Sequence, residues 1–462
     1  MIDNLPIEEI LKAARKDGGD FAEVFCESQA LTTITCDDNR VENVTTAEDL
    51  GLGLRVLHDL RTAYASTNDL TTPTLLDLAK SVGGAARKTT SNKPLIMLEH
   101  REAKSRPGVK SHPGGVALAK KIDIVTRANT VARSSDKRIA QANVILKDRV
   151  RHIWIAGSDG THAHDEQVYV AFIVTVVCKD GSKIMSSYEP VAGTKGYEIF
   201  NETPPEEVAA AAAKRALLML DASPAPSGPM PVVIAGEAGG TMIHEAVGHG
   251  LEADLAREGL SVYKDRLEQQ VASPLISIYD DSTLVGNRGS FACDDEGAPS
   301  QRTCLIENGV LKSYLHNRIT ATRDGIATTG NGRRQSYAHP PIVRMTNTLI
   351  AAGNDDPASI ISSTPNGLFV KKMGGGQVNT VNGDFVFDVQ EGYLIENGKI
   401  GEPVRGATLA GNGPKVLEII DKVGNDVGFS IGTCGKSGQE APVTCGQPTL
   451  RIPEIVVGGT TN

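Results

Sequence analysis

Four prolines fall within nine residues, Ser223-Pro224-Ala225-Pro226-Ser227-Gly228-Pro229-Met230-Pro231. Proline fixes φ and carries no amide hydrogen, so this stretch cannot continue a helix and resists pairing in a sheet. It divides the chain of 462 residues into two parts, each long enough to bury its own core. We therefore expect an amino-terminal mixed α+β domain over 1–222 and a carboxy-terminal domain over 232–462.

The two parts differ in pattern. In the first, Ile7, Ile10, Leu11 and Ala14 have helical spacing and stop before Gly18-Gly19. Phe21 to Leu57 alternates and is rich in β-branched residues, with a turn signal at Asp37-Asp38-Asn39, and so predicts antiparallel strands. Pro73 to Arg87 and Val116 to Arg133 read as helices joined by a polar, Pro-containing connection over Ser91 to Gly115. Strands are expected at Ile139 to Leu146, Val150 to Ala156, Val168 to Val177 and Lys183 to Tyr188. Pro204-Pro205 then opens an Ala-rich helix ending near Leu220. Past the prolines, glycine is frequent and the strands are short, with one convincing helix near residue 245. The fold class is α+β, with a mainly β carboxy-terminal domain.

Charge and cysteine usage narrow the function. A net charge of −9 argues against nucleic-acid binding through a basic face. The longest nearly apolar run, Val168 to Cys178, is too short to cross a bilayer as a helix, and the acidic start Met1 to Glu9 does not read as a signal peptide. We expect a cytoplasmic protein that engages no membrane. Seven cysteines, an odd number spread thinly, are expected to be reduced, with one available as a metal ligand.

The segment with the most chemical content is Met242-Ile243-His244-Glu245-Ala246-Val247-Gly248-His249-Gly250, which follows the short strand pattern Pro231 to Ile234 and a glycine turn. Two imidazoles able to hold zinc, and a carboxylate able to take a proton from an attacking water, share one helix. Their spacing is i, i+5, which in a regular helix sets the two side chains about 140° apart. A local π-type widening returns them to one face, and Gly248 is placed to ease it.

His244 to Gly250 resembles the active-site helix of the TldD/PmbA family of metalloproteases, on the TldD side. Further similar blocks are Asp294-Asp295-Glu296-Gly297, Ile306-Glu307-Asn308-Gly309, Gly330-Asn331-Gly332-Arg333-Arg334, Ser336-Tyr337-Ala338-His339, Met345-Thr346-Asn347-Thr348, Gly374-Gly375-Gly376-Gln377-Val378 and Cys434-Gly435-Lys436-Ser437-Gly438-Gln439. The resemblance spans the carboxy-terminal half and implies Cys434 as third zinc ligand. It also implies action on peptides or unfolded segments, and a dimer formed with itself or with a PmbA-type paralogue. Leu251-Glu252-Ala253-Asp254 departs from the family, which commonly has glycine before the Asp.

Read from the residues alone, Cys434 sits in a glycine-flanked loop near Lys436, which would favour its thiolate, while Cys293 and Cys445 compete for the ligand role. Glu252 reads as a ligand, a partner for an imidazole N–H, or a surface carboxylate. Arg333, Arg334, Tyr337 and His339 are candidates to stabilise an oxyanion or grip substrate, with salt bridging as the alternative. Gly374, Gly375 and Gly376 would let a peptide backbone approach closely, or form a plain turn. Gly435-Lys436-Ser437 is discounted as a phosphate loop because Ser430 replaces its first glycine. His162, His164 and Asp165 are a weaker second metal candidate. The expected activity is zinc-dependent peptide hydrolysis with Glu245 as general base. The competing readings are a non-catalytic, peptide-binding scaffold with structural zinc and a hydrolase of non-peptide amides.

Overall fold

The computed structural model describes residues 5–86 and 108–459. The expected polar connection therefore falls largely outside the described residues. The amino-terminal half is built on one antiparallel sheet. Strand β1 (Phe21–Asp37) turns through Asp38 and Asn39, both at positive φ, into β2 (Arg40–His58). This two-residue turn matches the right-handed twist of the flanking strands. With β3 (Arg61–Thr67), β4 (Ile139–Gly157), β5 (His162–Asp180) and β6 (Lys183–Gly193), the strand order is β3-β2-β1-β4-β5-β6.

Helices cover one side of this sheet in two groups. Helices α1 (Ile7–Arg15) and α2 (Thr72–Ala85) pack on Val24, Cys26, Leu52, Leu54 and Val56. Helix α3 (Leu118–Ser134), the short α4 (Ile199–Glu202) and α5 (Pro205–Asp221) cover Val144, Leu146, Phe172 and Val174. The helices lie within a few residues of their expected places, but the strands are longer. Lys147, Asp148 and Arg149, which interrupt the apolar pattern between two expected strands, lie inside a continuous β4. They stay because β4 is paired on both sides and Asp148 is buried against Lys121 and Tyr197.

The Pro-rich stretch pairs more than its composition predicts. Ser223–Pro224 form β7, and Gly228–Ile234 form β8. Pro229 sits where β8 has a neighbour on one side only, and the second partner begins at Val232, past the last proline. No missing amide hydrogen interrupts a central ladder.

Two sheets build the carboxy-terminal half. One runs through β11 (Val310–Leu311), β10 (Arg302–Glu307), β9 (Ile278–Asp281), β14 (Asn347–Ile350), β21 (Gln439–Gln447) and β20 (Gly428–Lys436). The other joins β15 (Asn366–Val378), β8, β22 (Leu450–Gly458), β18 (Thr408–Asn412), β16 (Asp384–Glu396), β17 (Lys399–Arg405) and β7, with β15 also paired to β16. The short ladders β12 (Gly332–Arg333) with β13 (Ile342–Val343), and β19 (Lys422–Val423) with β22, complete the pairing. Besides the helix near residue 245, Ala253–Arg257, Arg318–Asp324, Pro357–Ser362 and Gly413–Ile419 are helical. Each is too short for apolar periodicity to reveal it. No helix of the described residues is long and apolar enough to cross a membrane.

Candidate metal centre

Strand β8 delivers the chain into the core, and Gly239 and Gly240 set the turn that follows. Gly239 has a φ of 72°, and a Cβ there would stand 2.3 Å from that of Ser430. The site helix then changes pitch twice. Thr241–Ile243 are α-helical, His244–Gly248 form a π turn in which the His249 N–H donates to the His244 carbonyl, and His249–Leu251 are 3₁₀. The i, i+5 bond is the widening that the histidine spacing requires. It brings the two imidazole rings to 5.0 Å between centroids.

Gly248 contributes differently from expectation. Its backbone is ordinary right-handed helix, with φ −56° and ψ −51°, so conformational freedom is not what it supplies. A Cβ there would meet the Met345 sulfur at 2.0 Å, so glycine is needed for close packing. Met242, Ile243, Val247 and Leu251 anchor the same helix in the core.

The third donor arrives from β20. One ligand atom each from His244, His249 and Cys434 lie within 4.8 Å of one another. Cys434 Sγ is 3.3 Å from His249 Nε2. On the other side of the ring, His249 Nδ1 donates to Glu252 at 3.1 Å. Glu252 is fully buried, which removes the surface reading, and it orients an imidazole. Burial alone would raise its pKa, yet Lys436 and His249 hold it at about 2. An ionised acceptor at Nδ1 leaves Nε2 facing the thiol.

Lys436 does not reach Cys434 in the way its proximity in sequence suggests. Its ammonium group pairs with Asp254 at 2.8 Å and Glu252 at 3.1 Å, and donates to the Val343 carbonyl. The thiol, which burial would raise, is brought down to about 5 by hydrogen bonds from His244 and His249. Glu252 first and Cys434 second push His249 up to about 9 against its burial, and Cys445 with Cys434 pushes His244 well above its ordinary value. Cys445 lies close to His244 yet stays outside the group of three. Cys293 is buried in the seam between the halves, with Phe25 and Ile153.

Three features fit these residues to a metal ion: converging soft and borderline donors, a fixed tautomer at His249, and a buried His244 Nδ1 with no hydrogen-bond partner among the described residues. Glu245 is half-buried on the same turn, and its carboxylate has no partner among the described residues. Arg344 was not singled out from sequence, because nothing local marks a buried arginine. It holds the Cys434 and Gln439 carbonyls and so fixes the hairpin that presents the thiol.

The other candidates lie elsewhere. Arg333 donates to the carbonyls of Met345 and Pro442, and Arg334 pairs with Glu23. Tyr337 packs on Gly51 and bonds Asp49, while His339 bonds Ser336. Gly374, Gly375 and Gly376 lie within β15 beside a register shift, with Gly376 packed against Phe387. His164 stacks on Trp154 while Asp165 accepts from the Ala292 N–H, so they form no metal group. Gly435 to Gly438 end β20 and turn into β21, a hairpin instead of the strand-to-helix turn of a phosphate loop.

Residues 227–459 match the model of the PmbA/TldA metallopeptidase C-terminal domain, 111–220 that of its central domain, and 22–86 that of its domain 1. The metalloprotease TldD homologue of Haemophilus influenzae is 36% identical over 451 residues, covering 96% of this chain and 93% of the relative. The chain belongs to the PmbA/TldD metallopeptidase family. Another family member, the zinc metalloprotease TldD homologue of Saccharolobus solfataricus, is 27% identical and covers 97% of this chain and 99% of its own. The crystal structure of a putative modulator of a DNA gyrase from Thermotoga maritima shares the fold, with a TM-score of 0.81 at 22% identity, covering 98% of this chain and 99% of that one. The names of the metalloprotease relatives imply a metal, and in this PmbA/TldD chain the His–Cys group is the buried cluster suited to one.

Proposed function

We propose that this chain is a zinc-dependent peptidase, with His244, His249 and Cys434 holding the ion and Glu245 as general base. The observation that carries the reading is the meeting of these three donors at a helical turn that also carries Glu245, whose carboxylate has no partner among the described residues. When bound, zinc supplies Lewis acidity to the attacking water and the scissile carbonyl. Glu245 accepts the proton of the attacking water and returns it to the leaving amine nitrogen. Glu252 keeps the His249 Nδ1 proton in place, and Lys436 keeps Glu252 ionised in a buried setting. The substrate is an extended peptide or an unfolded segment. A structural zinc site has no use for a free carboxylate beside its first ligand, so Glu245 favours catalysis over a scaffold role. The test is Glu245→Gln: the variant is expected to retain zinc and lose hydrolysis of a quenched fluorescent peptide. Full hydrolysis by that variant would overturn the assignment.

A further inference from the structure

Apart from the His–Cys group, the seam between the two halves holds a narrow pocket walled by Arg149, Arg151, Arg333 and Arg334. Arg151 is paired with Glu27 and Asp295, and Arg334 with Glu23. Both still leave buried donors over. Arg151 Nη2, and Nε and Nη1 of Arg334, meet no acceptor among the described residues, although each of these side chains is more than nine-tenths buried.

Arg149 and Arg333, with Arg288 beside them, have no carboxylate partner among the described residues. Arg149 lies 4.6 Å over the Tyr169 ring. Arg288 bonds the Gly432 carbonyl and the Thr433 hydroxyl, and Arg333 two further carbonyls. Burial, more than anything else, lowers the pKa of all three; a neighbouring guanidinium lowers it further, while Tyr169 acts the other way. Asp295 is engaged by Arg151, Asp294 by backbone N–H groups, and Glu440 at the mouth is exposed. Arg333 is buried while Arg149 and Arg288 are half-buried, and such a partly buried surplus of positive charge with unpaired N–H groups is stabilised when an anion completes it. The planar guanidinium fork matches a carboxylate, and the rings of Tyr169 and Phe291 line the same pocket.

The pocket is also near the proposed centre. Arg288 grips Gly432 and Thr433, the two residues before Cys434, and Arg333 grips Pro442, the cross-strand partner of Thr433. Two strand residues span about 6.6 Å, and β20 is the edge of its sheet, so a few peptide residues reach around it. We propose that this pocket is a carboxylate-binding subsite that takes the anionic group of a peptide extended past β20. This rests on the peptidase reading above.

The test uses zinc-loaded Glu245→Gln protein and the fluorescence anisotropy of three labelled peptides: one with a free terminal carboxylate, its amide, and the amide with an added Glu. The free acid is expected to bind about tenfold or more tighter than the plain amide. Tight binding of the Glu-bearing amide adds the side-chain carboxylate as a source, and weak binding restricts the subsite to the terminus. In the Glu245→Gln background, Arg149→Gln should erase the difference and Arg149→Lys should keep part of it. Arg149 is the residue to change because it holds no backbone carbonyl. Equal binding of acid and amide, or a difference that survives Arg149→Gln, overturns the subsite and leaves the peptidase reading standing. Zinc-loaded protein that binds none of the peptides overturns both.

Discussion

Two buried polar clusters in this molecule are built on opposite plans. In the seam, each arginine bridges one carboxylate of its own half and one of the other: Arg55 pairs with Glu23 and Glu296, and Arg151 with Glu27 and Asp295. These pairs are compensated within the protein, unlike Arg149 and Arg333 in the pocket beside them, and they fasten the amino-terminal sheet to the carboxy-terminal half. At the His–Cys group the converging atoms are all electron-pair donors, and the nearby cation, Lys436, is turned to Glu252 and Asp254. A cluster that supplies its own counter-charges holds structure together, whereas one that gathers only donors is organised for an ion from outside.

The sharpest separation of the two is Glu245→Gln. We expect zinc content to be unchanged and turnover with peptide substrate to fall on the order of a hundredfold to ten-thousandfold, read by metal analysis beside kcat. The matching change in the seam is Arg55→Ala, which takes the cation from between two buried carboxylates, Glu296 losing its ion pair and Glu23 keeping only Arg334. Unfolding in urea should show a loss of about 3–5 kcal/mol while the zinc content of the folded fraction stays whole. A seam variant that loses zinc but not stability would show that the two clusters are not independent.

Glu252→Gln tests the border between the plans, because Glu252 is a buried carboxylate that faces the lysine on one side and His249 on the other. Zinc affinity is expected to drop about 10- to 100-fold in a chelator competition, with the fold intact by circular dichroism. The smallest effect is a pH dependence at His316, whose side chain belongs to neither cluster and bonds Thr320. Burial, with Arg257 nearby, holds His316 at about 4, below its ordinary value. The unfolded chain takes up this proton as pH falls below about 6.5 and the folded one does not, so stability present at pH 7 is lost toward pH 4. Melting curves between pH 7 and 5 should show a decline that His316→Gln reduces.

What could be read beforehand follows from how local each signal is. The π turn was legible because the i, i+5 spacing of His244 and His249 is itself a geometric demand. The helices of the amino-terminal half were legible from periodicity. Cys434 was reached through resemblance, since 185 residues separate it from His249 and no spacing rule spans that distance. The seam network was hidden for the same reason: Arg55 and Glu296 are 241 residues apart, and each alone reads as a surface charge. The continuous β4 was missed because a charged triplet looks like a break until Lys121 and Tyr197 are seen beside Asp148.

The most direct measurement is zinc stoichiometry by mass spectrometry on chelator-free wild-type protein and on Cys434→Ala. About one zinc per wild-type chain is expected, and its loss in a variant that still folds. A folded Cys434→Ala protein carrying its full zinc would contradict the assignment of Cys434 as a ligand.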